Sequence, residues 1–256
     1  MILVLCLFCY KSYGGVYFSG GSNSQTIYLP DNPNLRLSNT DNITICAWIY
    51  LRAYETTFSN IIRYDDNDDI DGDNPDTRNL YGFRITSLGK VQFFFGSTSG
   101  TLYVGTGTNT INLKTWYFIC AIKDYLKDKV YVYVNTIKDI DDVDNSTGVW
   151  TTTGQYALIG RYKQGTSYEN FNGIINELSV WKDVLSPSEL KILSNSKTKG
   201  IPLQIRPQNL VLYMPLDDWS EGYNGNSTYV DKSGNRNHGT AYNNPVCKAE
   251  SVLSYP

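Results

Sequence analysis

Trp116 to Val134 reads WYFICAIKDYLKDKVYVYV, and its pattern decides the fold class. Trp116 to Ile122 is an apolar run, Asp124 to Lys129 is a charged turn, and Val130-Tyr131-Val132-Tyr133-Val134 alternates between two residue types. Successive side chains of a strand point to opposite faces, so this period of two sets the valines on one face and the tyrosines on the other. Two strands joined by a turn are predicted, with one face in a core.

Working outward, the same grammar recurs. Tyr81-Gly82-Phe83-Arg84-Ile85 alternates, Ser87 to Lys90 offers a turn around Gly89, and Val91-Gln92-Phe93-Phe94-Phe95 completes a second predicted hairpin. Thr44 to Tyr50 (TICAWIY) is apolar on both faces, as a central strand covered on both sides requires. Leu210 to Leu216 (LVLYMPL) is a further strand beyond a connector, Gly200 to Gln208, that holds two prolines. The 21 Tyr and 21 Gly fit many short strands joined by turns that need positive φ.

One helix interrupts the strands. Ser186-Pro187-Ser188-Glu189 combines an N-cap, a first-turn proline and a capping-box glutamate, with Leu185 and Leu190 as a hydrophobic staple. The expected fold is all-β, a two-sheet antiparallel jelly-roll β-sandwich with one short helix near residues 186–194. Residues 1–15 are expected to be an apolar extension, 16–199 the jelly roll, and 200–256 a connector, returning strand and tail packed on the same domain. At 256 residues the chain is long for one domain, but sandwiches reach that size.

The five cysteines are Cys6, Cys9, Cys46, Cys120 and Cys247, an odd number without metal-ligand spacing beyond Cys6-x-x-Cys9. No disulfide framework is expected, and Cys46 and Cys120, each inside an apolar run, are expected to be small buried hydrophobes. Met1 to Cys9 (MILVLCLFC) resembles the apolar part of a signal peptide but lacks the basic start and small-residue cleavage site. It is too short to span a bilayer and is expected to be an edge strand or a contact between subunits. Sequons at Asn42, Asn145 and Asn226 matter only in a glycosylating pathway.

The order of motifs resembles the laminin G-like jelly roll, a branch of the concanavalin A-like lectin and glucanase superfamily that includes the pentraxins. The matching pieces are Val16 to Gly20, Ile27 to Pro30, Thr44 to Tyr50, Trp116 to Cys120, Val130 to Asn135, Leu158-Ile159-Gly160 and, most specifically, Phe171 to Trp181 followed by Leu185 to Leu190. Asp231-Lys232-Ser233-Gly234-Asn235 looks like the turn that opens many members of this family, placed here late in the chain, as in a subset of bacterial and phage surface modules. The resemblance implies the fold far better than the ligand.

Catalysis is not expected. A glycosidase needs two carboxylates, about 5–5.5 Å apart for retention or about 6.5–9.5 Å for inversion. In the glucanase branch they lie in a Glu-x-Asp-x-x-Glu run, which is missing here. Glu177 matches an acidic residue common in non-catalytic laminin G-like domains and is read as structural. The one histidine, His238, lies in a Gly- and Asn-rich turn without a nucleophile motif, and no phosphate loop or dinucleotide fingerprint occurs. No organic cofactor is expected.

Tyr64 to Arg78 (YDDNDDIDGDNPDTR) gathers carboxylates around Gly72. Asn67, Asp69, Asp71 and Asp73 are the candidate calcium ligands, since alternate oxygen side chains before a glycine imitate the first half of a calcium loop. The twelfth position is Arg78 instead of glutamate, which excludes an EF-hand. A second acidic run, Lys138 to Asn145, is read as another loop.

A net charge of -3 and a pI near 5.2 argue against a nucleic-acid partner. The leading expectation is a non-catalytic module that binds a glycan or glycoconjugate, with calcium as the metal and Tyr54, Tyr64, Tyr162 and Tyr168, in or near loops, as candidate ligand-binding residues. Beside it stands a structural or decorating protein of a virion or cell surface, acting through protein neighbours or as a homo-oligomer. Either role places the chain outside the cell or on a virion or cell surface.

Overall fold

The computed structural model describes residues 14–21, 25–65, 79–97, 100–152, 156–164, 167–195, 201–216 and 228–249. Of the apolar extension expected at 1–15, residues 1–13 lie outside the described residues, as do the calcium ligands expected at Asn67, Asp69, Asp71 and Asp73, and Gly14 and Gly15 belong to the first strand. The strands begin with β1 (Gly14–Ser19), β2 (Thr26–Pro30), β3 (Ile43–Leu51), β4 (Phe58–Asp65), β5 (Asn79–Thr86), β6 (Lys90–Ser97) and β7 (Tyr103–Thr110). They continue with β8 (Trp116–Asp124), β9 (Lys129–Val134), β10 (Ile137–Val143), β11 (Tyr156–Ile159), β12 (Arg161–Gln164), β13 (Ser167–Asn170) and β14 (Asn172–Trp181). After helix α1 (Pro187–Leu193) come β15 (Leu210–Met214), β16 (Thr228–Tyr229), β17 (Gly239–Tyr242) and β18 (Val246–Ala249).

The fold is all-β, with two antiparallel sheets stacked as a sandwich. The first runs β10-β9-β8-β3-β14-β1-β18, with β15 also paired to β14, and the second runs β16-β17-β2-β11-β4-β5-β6-β7. Strands β12 and β13 form a separate two-stranded ribbon that packs over β4. Strand β14 pairs with β3 along one edge; along the other, residues 172–175 pair with β1 and 178–181 with β15. The change falls at Glu177, whose φ of 52° lies within a register shift. Tyr213 donates its hydroxyl to Glu177 Oε2 at 2.8 Å, and Glu177 N donates to Pro215 O at 3.0 Å. These bonds hold the irregular point against the strand after the connector.

The opening hairpin behaves as its period requires. Val130, Val132 and Val134 enter the core between the sheets, whereas Tyr131 and Tyr133 join a second apolar cluster on the outer face of the first sheet. Strand β3 divides the same way: Ile43, Ile45, Ala47, Ile49 and Leu51 face the main core, and Cys46 and Trp48 the second cluster. Helix α1 roofs that cluster with Leu190 and Leu193. Its capping box forms, because the Ser186 hydroxyl accepts from Glu189 N while Glu189 Oε2 accepts from Ser186 N at 2.7 Å. The staple residues Leu185 and Leu190 are both buried in the cluster. Fully burying each such side chain contributes about 1.5–3 kcal/mol.

Two expectations are corrected here. Cys46 and Cys120 are buried, but as a disulfide rather than as separate thiols. They are register partners on β3 and β8 with Cα atoms 4.2 Å apart, a proximity that the sequence separation of 74 conceals. The acidic run from Lys138 is mostly strand β10, not a loop. Its carboxylates have protein partners: Asp141 pairs with Lys129 and Lys138, and Asp142 accepts from the Tyr103 hydroxyl.

The Asp231 turn is a docking device. Asp231 Oδ1 accepts from Tyr213 N and Ser233 N, and Oδ2 from the Ser233 hydroxyl and Asn237 N. Asn235 and Asn237 then donate to the Leu210 and Val211 carbonyls of β15, while His238 Nδ1 accepts from Asp231 N.

Candidate functional site

The outer face of the second sheet carries the chemistry that its alternation leaves out of the core. A bulge in β4 between Asn60 and Ile62 resets the register, so that Asn60 pairs with Arg84, Arg63 with Gly82 and Asp65 with Leu80. The neighbouring strand sets Phe94 beside Gly82 and Gln92 beside Arg84. Directly paired residues share a face. Asn60, Arg63, Asp65, Arg84, Gln92 and Phe94 therefore lie together on the side facing away from the core, with Tyr162 and Glu169 brought over them by the β12–β13 ribbon.

Glycine makes the arrangement possible at Gly82, where a Cβ would stand 2.3 Å from Phe94 Cζ. The Phe94 ring thus lies across β5, and both arginines use it: the Arg84 guanidinium carbon is 4.4 Å and that of Arg63 5.3 Å from its centroid. Arg63 also stacks on Tyr162 and Arg84 on Phe58, each at 3.4 Å. Cation–π contacts of desolvated guanidinium groups contribute about 2 kcal/mol.

Two buried carboxylates balance the two guanidinium groups. Arg63 NH2 donates to Asp65 Oδ2 at 3.0 Å, which also accepts from the Tyr162 hydroxyl at 2.8 Å. Arg84 NH1 donates to Glu169 Oε1 at 2.6 Å, and its Nε donates to Gln92 Oε1 at 2.8 Å. Burial lowers the Arg84 pKa, against the opposing pull of Glu169. Asn60 Oδ1, Arg63 Nε and Glu169 Oε2 are buried and have no hydrogen-bond partner among the described residues.

The four tyrosines named from sequence fall in different settings. Tyr168 lies on β13 and is 40% exposed, with the Arg161 guanidinium 4.8 Å from its ring. Tyr162 is the buried stacking partner of Arg63. Tyr64 is a correction: it lies in β4, wholly inside the core, stacked on Tyr81 at 5.6 Å with its hydroxyl on Asp31, so its ring offers no open plane. Tyr54 is half-buried at another part of the molecule, with its hydroxyl on the Ile111 carbonyl. Of the four, Tyr162 and Tyr168 lie on the ribbon but on its opposite faces, since Tyr162 is the register partner of Glu169 over the network whereas Tyr168 is that of Lys163. Among the described residues no group of three or more His, Cys, Asp or Glu side chains is placed to hold a metal ion.

Arg63, Arg84 and Glu169 were not singled out by the sequence reading. A signal was present, because Arg63 follows Ile61-Ile62 inside an apolar run, and a charge there must find a buried partner. Its ion-pair partner, Asp65, lies two residues further along β4, whereas Tyr162 and Glu169, which complete its surroundings, come from the ribbon.

The laminin G-type profile of the concanavalin A-like lectin/glucanases superfamily matches residues 20–191, and the chain belongs to that superfamily. No curated protein sequence matches the chain. Among solved structures, a Bacteroides ovatus protein assigned to carbohydrate binding superposes with a TM-score of 0.64 at 20% identity, over 94% of this chain and 61% of its own. The chain thus spans less than two thirds of that protein's length. The CBM40 module of the Ruminococcus gnavus IT-sialidase gives 0.53 at 16% identity, over 70% of this chain and 96% of the module. A heptameric SAP-like pentraxin from Limulus polyphemus gives 0.50 at 16% identity, over 75% and 85% of the two chains. At these identities the likeness is one of fold.

Proposed function

We propose that the protein is a non-catalytic glycan-binding module that takes its ligand on the outer face of the second sheet, at the β12–β13 ribbon. The observation that carries this reading is the exposed aromatic plane of Tyr168 on the ribbon, with the Arg161 guanidinium 4.8 Å from its ring, on a support fixed below by the buried Arg63–Asp65 and Arg84–Glu169 pairs. A sugar packs the C–H face of its ring on such an aromatic plane and directs its hydroxyls to a neighbouring guanidinium. Tyr168, Phe58 and Arg84 supply the apolar and stacking surface at the rim.

Catalysis is disfavoured by the same geometry. Asp65 and Glu169 are each committed to a guanidinium group, and an acid catalyst needs a proton that such a neighbour opposes. The disulfide between Cys46 and Cys120 suits an extracellular or surface location, where disulfides persist. No helix among the described residues is long and apolar enough to cross a membrane.

The test is a glycan array probed with the purified protein, once with millimolar calcium and once with chelator. Binding that Tyr168→Ala weakens about tenfold supports the site. A blank array under both conditions overturns the function. The two arms also decide whether binding needs calcium, for which Asn67, Asp69, Asp71 and Asp73 are the candidate ligands.

A further inference from the structure

Three tyrosines far apart in sequence meet on the same sheet and border the arginine network, Tyr156 being the register partner of Asp65. Tyr28 on β2 lies between Tyr156 on β11 and Tyr242 on β17, with ring centroids 5.3 Å and 6.1 Å away. The rings are tilted by 37° in the first pair and by 81° in the second, so together they form an angled shelf rather than a flat stack. Tyr156 is buried, Tyr28 half-buried and Tyr242 52% exposed, so the shelf opens at its Tyr242 end. Burial raises the Tyr28 pKa, and the proximity of Tyr242 and Asp31 raises it further.

Next to the shelf, Asp31 is held in a two-pronged ion pair by Arg36, through Nε at 3.1 Å and through NH2 at 2.5 Å. Tyr64 adds a third hydrogen bond to the same carboxylate at 2.6 Å. Asn32 and Asn34 both reach Asn235, fixing the adjoining loop through its carbonyl and its side-chain oxygen.

We infer that Tyr28, Tyr156 and Tyr242 form a stacking subsite for an uncharged pyranose ring, bordered by the Asp31–Arg36 pair. A pyranose has an apolar C–H face that packs on aromatic planes, and edge hydroxyls that meet a carboxylate and a guanidinium at once. Because Asp31 and Arg36 neutralise each other, the rim favours neither an anionic nor a cationic ligand. This inference rests on the glycan-binding reading and adds a second contact region to it, separate from Tyr168.

Native affinity electrophoresis through gels containing soluble glucan, xylan, mannan or arabinan tests it, with polysialic acid and polygalacturonate as charged controls. Retardation by a neutral polymer is expected, with about a tenfold loss in Tyr242→Ala and near-normal retardation in Tyr242→Phe. Thermal unfolding of Tyr242→Ala should match the parent, since the side chain is half exposed. If a neutral polymer retards the parent and Tyr242→Ala alike while Tyr168→Ala loses binding, the shelf is overturned and the glycan-binding reading stands. Retardation by the charged polymers alone also overturns the shelf. Absence of retardation in every gel overturns both.

Discussion

The Arg63 guanidinium lies 3.4 Å from the centroid of Tyr162, and both side chains reach the same oxygen, Oδ2 of Asp65. One buried carboxylate thereby fixes the ribbon strand β12 to the sheet strand β4. Replacing Arg63 removes a guanidinium partner from the buried Asp65, and breaking one side of a buried pair costs about 3–5 kcal/mol. Arg63→Met is expected to lower the urea midpoint accordingly. The double variant Arg63→Met with Asp65→Leu should lose less than the sum of the single effects, because the two residues share one interaction.

The disulfide joins two central strands beneath the α1 cluster, and neither cysteine is appreciably exposed. In a variant with Cys6, Cys9 and Cys247 replaced by serine, mild reductant is therefore expected to leave the folded protein oxidised, with two thiols appearing only under denaturant, as a thiol titration will record. Replacing both cysteines by alanine releases a closure spanning 74 residues in the unfolded chain. The expected loss is about 4 kcal/mol on the chain-entropy estimate.

Glu189 carries a pH signature. Its partial burial would raise the pKa, but hydrogen bonds from Arg206, and from the backbone and hydroxyl of Ser186, outweigh that and hold it at about 2. A carboxylate depressed on folding adds stability above its unfolded value near 4.5, and that contribution fades as pH falls toward 2. Glu189→Gln should flatten this part of the stability–pH curve and cost about 1–3 kcal/mol at pH 7. Chemical denaturation at stepped pH measures both.

Asp139 on β10 ties the free edge of the second sheet to the first. Its Oδ1 accepts from the backbone N–H groups of Thr108 and Asn109, at 3.1 and 3.0 Å, and from both side chains. An uncovered edge invites pairing with another chain. Asp139→Ala is expected to cost about 1–3 kcal/mol and to raise self-association, measured by light scattering across a concentration series.

What was legible in the sequence was whatever a local period or a cap encodes. The Val130 alternation, the two-sided Thr44 run, the hairpin around Gly89 and the Ser186 capping box each state their geometry within a dozen residues. The Cys46–Cys120 bond was hidden because each cysteine sits in an apolar run that gives no sign of its neighbour. The Lys138 run was misread because charge implies solvent, whereas an edge strand can carry carboxylates that bond across to the other sheet. The candidate site was only half visible for the same reason: Tyr162 and Tyr168 stood out, but Arg63, Arg84 and Glu169 become a network only through the β4 bulge and the ribbon laid over it.

Strand β1 pairs with β14 on one side and with β18 on the other, Gly14 lying opposite Ala249. During synthesis β1 emerges long before either partner, so the first sheet cannot close around it until nearly all of the described chain is available. Such non-local pairing slows folding and leaves strand edges open to the wrong neighbours meanwhile. Completion of the first sheet is consequently a late event, timed by the arrival of β14 and β18 rather than by β1 itself.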